Sequence, residues 1–119
     1  SVPVLELDSI NDNKVSESSS HIPVIYSQIK GLFALKLERT ILEGKFQKGD
    51  YIIIKLKEEE KIAEEYAEKN ILYSMDNEMS IDKFLIKEDK YFLLDKNIEV
   101  PKKKISIIGY IVGKYTNLI

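Results

Sequence analysis

The sequence contains no cysteine, so disulfides and thiolate metal sites are excluded, which fits a reducing compartment. Its one histidine, His21, sits beside Ser19 and Ser20 in a polar stretch. A lone imidazole there makes neither a triad nor a metal site, and it is expected as an exposed loop residue. Acidic residues are plentiful but scattered, without the spacing of a calcium loop, and there is no glycine-rich phosphate loop. No cofactor and no metal are expected. No apolar run approaches the roughly 18 residues that cross a bilayer, and no signal peptide is visible. A cytoplasmic protein without a membrane partner is the expectation. Positive charge is not in excess either: 18 basic against 20 acidic residues leave a net charge of −2. That balance argues against a phosphate-binding footprint on this chain, because nucleic-acid affinity comes mostly from clustered lysine and arginine.

What remains is an ordinary globular composition, 44% hydrophobic and 32% charged over 119 residues, enough for one domain with a modest core. One stretch shows a clear period of two. Phe33, Leu35 and Leu37 alternate with Ala34, Lys36 and Glu38, the pattern of a half-buried strand. A charged, turn-prone stretch follows and closes in Gly49-Asp50, which feeds a second strand from Tyr51 to Leu56. Asp76-Asn77 separates two such runs as a hairpin turn, since both residues tolerate positive φ. Lys87 to Lys90 reads as another polar turn, and Tyr91 to Leu94 as a buried strand. The last strand runs from Ile105 to Tyr115, with Gly109 and Gly113 marking bulges or tight bends. Between Lys57 and Asn70 the spacing of Ile62, Ala63, Tyr66 and Ala67 predicts a short amphipathic helix over Glu59 to Glu68. Asp8 to Ser20 is polar and without period, and is expected as a surface loop. The seven tyrosines and four phenylalanines sit mainly on apolar faces, as core rather than as base-stacking platforms. Lys102 to Lys104 is expected to be a solvated turn.

The segment Leu32 to Asp50 resembles the stretch that carries the nucleophile in LexA-like self-cleaving repressors. In that family a F-A-L-R-V strand is followed by x-G-[DN]-S-M, eight further residues ending in G-D, and a β-branched run. Here Phe33-Ala34-Leu35-Lys36-Leu37, Gly49-Asp50 and Ile52-Ile53-Ile54 occupy those places without a gap. The likeness continues in order. Val2-Pro3-Val4-Leu5 and Ile22-Pro23-Val24 stand for the proline-containing segments near the start. Ser80-Ile81-Asp82-Lys83-Phe84 stands for T-V-K-R-F, Tyr91 to Asn97 for Y-L-L-P-x-N, and Ile107 to Gly113 for I-I-G-V-V-V-G. The resemblance implies a mainly β domain of curled antiparallel sheets, of the β-clip or partial-barrel type, with one short helix. It covers almost the whole chain.

The family hydrolyses its own backbone with a serine nucleophile and a desolvated lysine base. On the same frame the serine falls on Ile41, the following methionine on Leu42 and the lysine on Asp82. A hydrocarbon cannot attack a carbonyl, and a carboxyl group cannot act as the amine base. The cleavable Ala-Gly pair is also absent, with Ser9, Ile10 and Asn11 at the corresponding spacing. A displaced dyad of Thr40 and Lys83 would need both positions to slip by one residue. In a strand that reverses the face, so Lys83 is expected to point away from the cleft of Asp82. The resemblance therefore implies an inactive member: a dimerising, regulatory domain of a LexA-like or phage-type repressor and not an enzyme. It further implies that the chain is part of a longer one, with DNA bound only through an upstream helix-turn-helix domain and a regulatory protein as a possible partner. Ile107, Tyr110, Ile111 and Val112 are the candidate homodimer contacts. Three other readings stand beside it: a self-cleaving peptidase using displaced residues, a stand-alone accessory protein like UmuD, and a binding module that reuses the cleft.

Overall fold

The computed structural model describes the backbone of residues 2–6 and 21–22, and residues 31–116 in full. Asp8 to Ser20, Pro23-Val24 and the Ser9-Ile10-Asn11 position lie outside the described residues. The chain is mainly β, as the alternating pattern requires. Its strands are β1 (Val2–Glu6), β2 (His21–Ile22), β3 (Leu32–Lys36), β4 (Tyr51–Leu56), β5 (Asn70–Met75), β6 (Glu78–Lys87), β7 (Lys90–Leu93), β8 (Ile98–Val100) and β9 (Ser106–Tyr115). They lie in the order β2-β1-β3-β4-β9-β5-β6-β7-β8. From β3 to β8 every neighbour is antiparallel; β1 runs parallel to β3, and the sheet does not close into a barrel. His21 pairs with Pro3 in β2 and so lies in a strand, not in the loop expected of it.

The hairpin turns follow their chemistry. Asp76 and Asn77 both have positive φ (52° and 64°), as do Glu88 and Asp89 (50° and 63°), which matches turn twist to strand twist. Strand β9 runs between β4 and β5 and bulges against each. Ile108 is unopposed where Leu72 pairs with Gly109 and Tyr73 with Ile107; Val112 is unopposed where Ile53 pairs with Gly113 and Ile54 with Ile111. Each bulge flips the alternation, so Ile107 and Tyr110 join one face while Ile108 and Ile111 join the other.

Two large cores result, one on each face, and a small third cluster forms around Ala34 and Ile53. The first gathers Leu35, Leu37, Phe46, Ile52, Ile54, Leu72 and Ile81; the second gathers Tyr66, Ile71, Tyr73, Phe84, Tyr91, Leu93, Val100 and Ile107. Strand β3 is not half-buried as its pattern predicts, because Ala34 packs with Ile53 on the second face and is also fully buried.

The expected helix over Glu59 to Glu68 is corrected to a single 3-10 turn, Ala63–Tyr66. Glu65 reaches back to accept the Ile62 N–H at 2.9 Å. Propagation stops because the following backbone is already committed to β6: the Glu68 N–H donates to the Phe84 carbonyl (2.6 Å), and the Phe84 N–H donates to Lys69 (3.0 Å). A segment this short has little helical stability of its own, and Ile62, counted on the apolar face, is 61% exposed. Tyr66 alone is deeply buried, its ring 5.6 Å from Tyr110. The turn is also tied to β7, where the Tyr91 hydroxyl donates to Glu64 at 2.7 Å. Burial first, then that bond to an anion, pushes the Tyr91 phenol up to about 12. Lys102 pairs with Asp89 at 2.7 Å in the exposed turn predicted for it.

At Gly109 the backbone of β9 lies against β4. A Cβ there would collide with the Lys55 carbonyl oxygen and come within 2.9 Å of Ile54 Cγ2, whereas at Gly113 it would meet nothing within 4 Å. Gly109→Ala is expected to cost about 2–3 kcal/mol by forcing these strands apart. Gly113→Ala should lie within about 0.5 kcal/mol of the parent. Urea unfolding of the two variants side by side checks the contrast.

Candidate functional site

Strand β6 changes partners along its length. Its first part, Glu78 to Lys83, pairs with β5, and its last part, from Phe84 onward, pairs with β7. Asp82 lies at this handover and is fully buried. Its Oδ1 accepts the backbone N–H groups of Lys83 and Asp95, both at 2.7 Å, and its Oδ2 accepts that of Lys96 at 3.0 Å. The carboxylate thereby fastens the turn between β7 and β8 onto the centre of β6. Leu94 adds its own N–H to the Lys83 carbonyl (3.0 Å). Leu94, expected inside a buried strand, instead projects from this turn and is 53% exposed.

On the other side stands the turn after Ile41. Ile41 exchanges backbone bonds with Phe46 (2.9 and 3.4 Å) and packs, half-buried, against the first core. Between them Leu42, Glu43 and Gly44 all have positive φ (51°, 55° and 88°). For leucine and glutamate this left-handed conformation is strained, and such strain collects at functional sites. Thr40 is a turn residue whose hydroxyl accepts the Lys48 N–H at 3.2 Å. Among the described residues no serine or threonine hydroxyl is hydrogen-bonded to a lysine amine.

The two turns border a half-open cavity of about 150 Å³. Leu42, Glu43 and Lys45 border it from one side, Asp82, Lys83, Leu94 and Asp95 from the other, and Asn70 at the start of β5 lies between. Lys83 was expected to turn away from this cleft, yet it borders it. The reason is that Asp82 folds into the turn behind β6, while alternation gives Lys83 the face of Ile81, the face that carries Ile41 and Leu42. The structure thus brings Leu42 and Asp82 to one cavity and leaves Ile41 beside it. Of the four residues on β9, Ile107 is buried in the second core, Tyr110 and Ile111 are half-buried, and Val112 is 43% exposed. None of the four is among the residues lining this cavity. Among the described residues no group of acidic or histidine side chains could hold a metal ion, and no helix is long and apolar enough to cross a membrane.

Sequence reading marked the stretch before Gly49 as turn-prone but did not place the Leu42-Glu43 turn. It also missed Asn70 and the second buried carboxylate, Asp50. Asp50 Oδ2 accepts the Gln47 N–H at 2.9 Å and lies 3.8 Å from Lys114 Nζ, while its Oδ1 accepts the Thr116 hydroxyl at 3.2 Å. The Gln47 bond chiefly, helped by Thr116 and Lys114 against an opposing effect of burial, holds the Asp50 carboxyl below its ordinary value of 3.8.

No protein-family model matches this sequence, and no curated protein matches it.

Asp82→Ala would strand three backbone N–H groups and is expected to cost about 3 kcal/mol, with Asp82→Asn, which keeps one acceptor oxygen, losing about half as much. Chemical denaturation measures both. Because the Asp50 pKa is depressed in the folded state, its stabilisation is present above pH 3.8 and disappears as pH falls through the lower folded value. The stability gap between the parent and Asp50→Asn should therefore shrink as pH falls below that point, which unfolding curves over the acid range will read directly.

Proposed function

We propose that this domain is the non-catalytic dimerisation and regulatory part of a LexA-like or phage-type transcriptional repressor, acting in the cytoplasm. DNA is then bound through an upstream domain, and a regulatory protein partner takes the place of self-cleavage. The observation that carries the reading is the chemistry at the two matched positions. The residue at the nucleophile position, Ile41, has no heteroatom and is bridged to Phe46. The residue at the base position, Asp82, gives both carboxylate oxygens to backbone N–H groups. The turn after Ile41 and the segment around Asp82, far apart in sequence, border one cavity, which supports the reading. Peptide hydrolysis there would need an attacking hydroxyl and an amine base, and the matched positions supply neither.

The homodimer contact falls to the outer part of β9. Ile107 is used internally, whereas Val112 and Tyr115 are each 43% exposed and Tyr115 lies 6.2 Å from the Tyr51 ring. An apolar bulge residue on a central strand offers a face for association, since both edges of β9 are already paired. Self-association also lets two weak DNA modules act as one tight binder.

Sedimentation at roughly tens of micromolar, where a micromolar dimer is populated, is expected to give a dimer for the parent and a monomer for Val112→Glu. A monomeric parent would sink the dimer assignment. Long incubation at alkaline pH followed by intact-mass spectrometry is expected to show no new termini; cleavage at a defined bond would overturn the non-catalytic assignment.

A further inference from the structure

The cavity between the two turns has an unusual lining for a site without chemistry. Glu43, Asp95, Lys83 and Asn70 are among the residues that line it, Glu43 and Asp95 being exposed, and among the described residues none of these four side chains has an ion-pair or hydrogen-bond partner. Lys83 and Asn70 are half-buried residues at the strand side of the cavity. Lys45 is otherwise engaged, its ammonium 5.8 Å from the Phe46 ring. Two leucines, Leu42 and Leu94, supply the apolar walls, one on each turn.

We propose that this cavity binds a small zwitterion, an α-amino acid with an aliphatic side chain. Both signs of charge are presented without partners, so a ligand carrying one positive and one negative group satisfies them, whereas a simple anion or cation leaves one set unanswered. The leucine walls take the hydrocarbon body. The cleft is half-open and offers about 150 Å³, room for a body about the size of a benzene ring, which suits a small ligand. The supporting geometry is fixed in advance. Asp82 pins the Leu94-Asp95 turn through backbone bonds. The Ile41–Phe46 bridge holds the Leu42-Glu43 turn. Nothing in this proposal depends on the repressor assignment: it uses only the lining and its unpaired charges.

The test is a calorimetric and NMR titration of the full chain with L-leucine, 4-methylpentanoate, 3-methylbutylamine and N-acetyl-L-leucinamide. These present the same hydrocarbon with both charges, the negative alone, the positive alone, and neither. L-Leucine is expected to bind saturably at millimolar concentration or below, and each of the others at least about tenfold more weakly. Lys83→Met and Asp95→Asn should each weaken L-leucine binding by about tenfold or more. Unfolding curves for the same variants verify that the fold is retained. Absence of saturable binding up to about 10 mM, equal binding of the uncharged amide, or full retention by the Lys83→Met variant would each overturn the proposal. None of these outcomes bears on the dimer or on self-cleavage, which are read by sedimentation and mass.

Discussion

The sheet is held together by the insertion of β9 between β4 and β5. Remove that strand and what remains is two separate pieces, β1 to β4 and β5 to β8, with no ladder between them. The insertion is tight: the backbone of Gly109 lies so close to the Lys55 carbonyl that any side chain is excluded. It also distributes the hydrophobic load. Two bulges within ten residues rotate the strand enough to send Ile107 and Tyr110 to one core and Ile108 and Ile111 to the other. A regular strand of the same sequence would put Ile108 and Tyr110 on one face, and neither core would close. The pairings of β9 with β4 and β5 are all long-range in sequence, which raises the contact order of the fold.

A second constraint works at smaller scale. Strand β6 serves two neighbours in succession, and a strand that changes partners leaves backbone groups facing a turn instead of a ladder. Asp82 answers that local shortage of acceptors with both oxygens. A lysine in its place, with donors only, could accept none of these bonds. A structural carboxylate and an amine base are mutually exclusive tenants of this position. That is a physical reason why a chain built this way does not carry lysine-based chemistry at residue 82.

How legible this was depended on which effect governed each residue. Strand β4, the Asp76-Asn77 hairpin and the bulges flagged by Gly109 and Gly113 were readable, because period and turn chemistry are local. The segment around Ala63 to Tyr66 was not. Its spacing is helical, but the backbone bonds of Glu68 and Lys69 to Phe84 are tertiary and override propensity. Ala34 was assigned outward by alternation and is buried, since a small side chain carries little signal about which faces are covered. At the cavity, the family resemblance singled out Ile41 and Asp82 as positions of interest. It could not show that Asp82 turns into the neighbouring turn while Lys83 borders the cleft, because that depends on where β6 changes partners.

The left-handed backbone at Leu42 and Glu43 bears on why the cavity exists at all. A turn needed only to reverse the chain between Ile41 and Phe46 would be served by glycine or asparagine, at no cost in strain. Leucine at φ 51° is instead held against a penalty of roughly 1–2 kcal/mol. The side chain must therefore offset it by what it touches. Leu42 packs against the first core and at the same time walls the cavity opposite Leu94. The Lys45 N–H closes the turn on the Leu42 carbonyl at 3.1 Å, so the strained residue cannot relax without opening the bridge between Ile41 and Phe46. The cavity wall is thus set by the same contacts that hold the core.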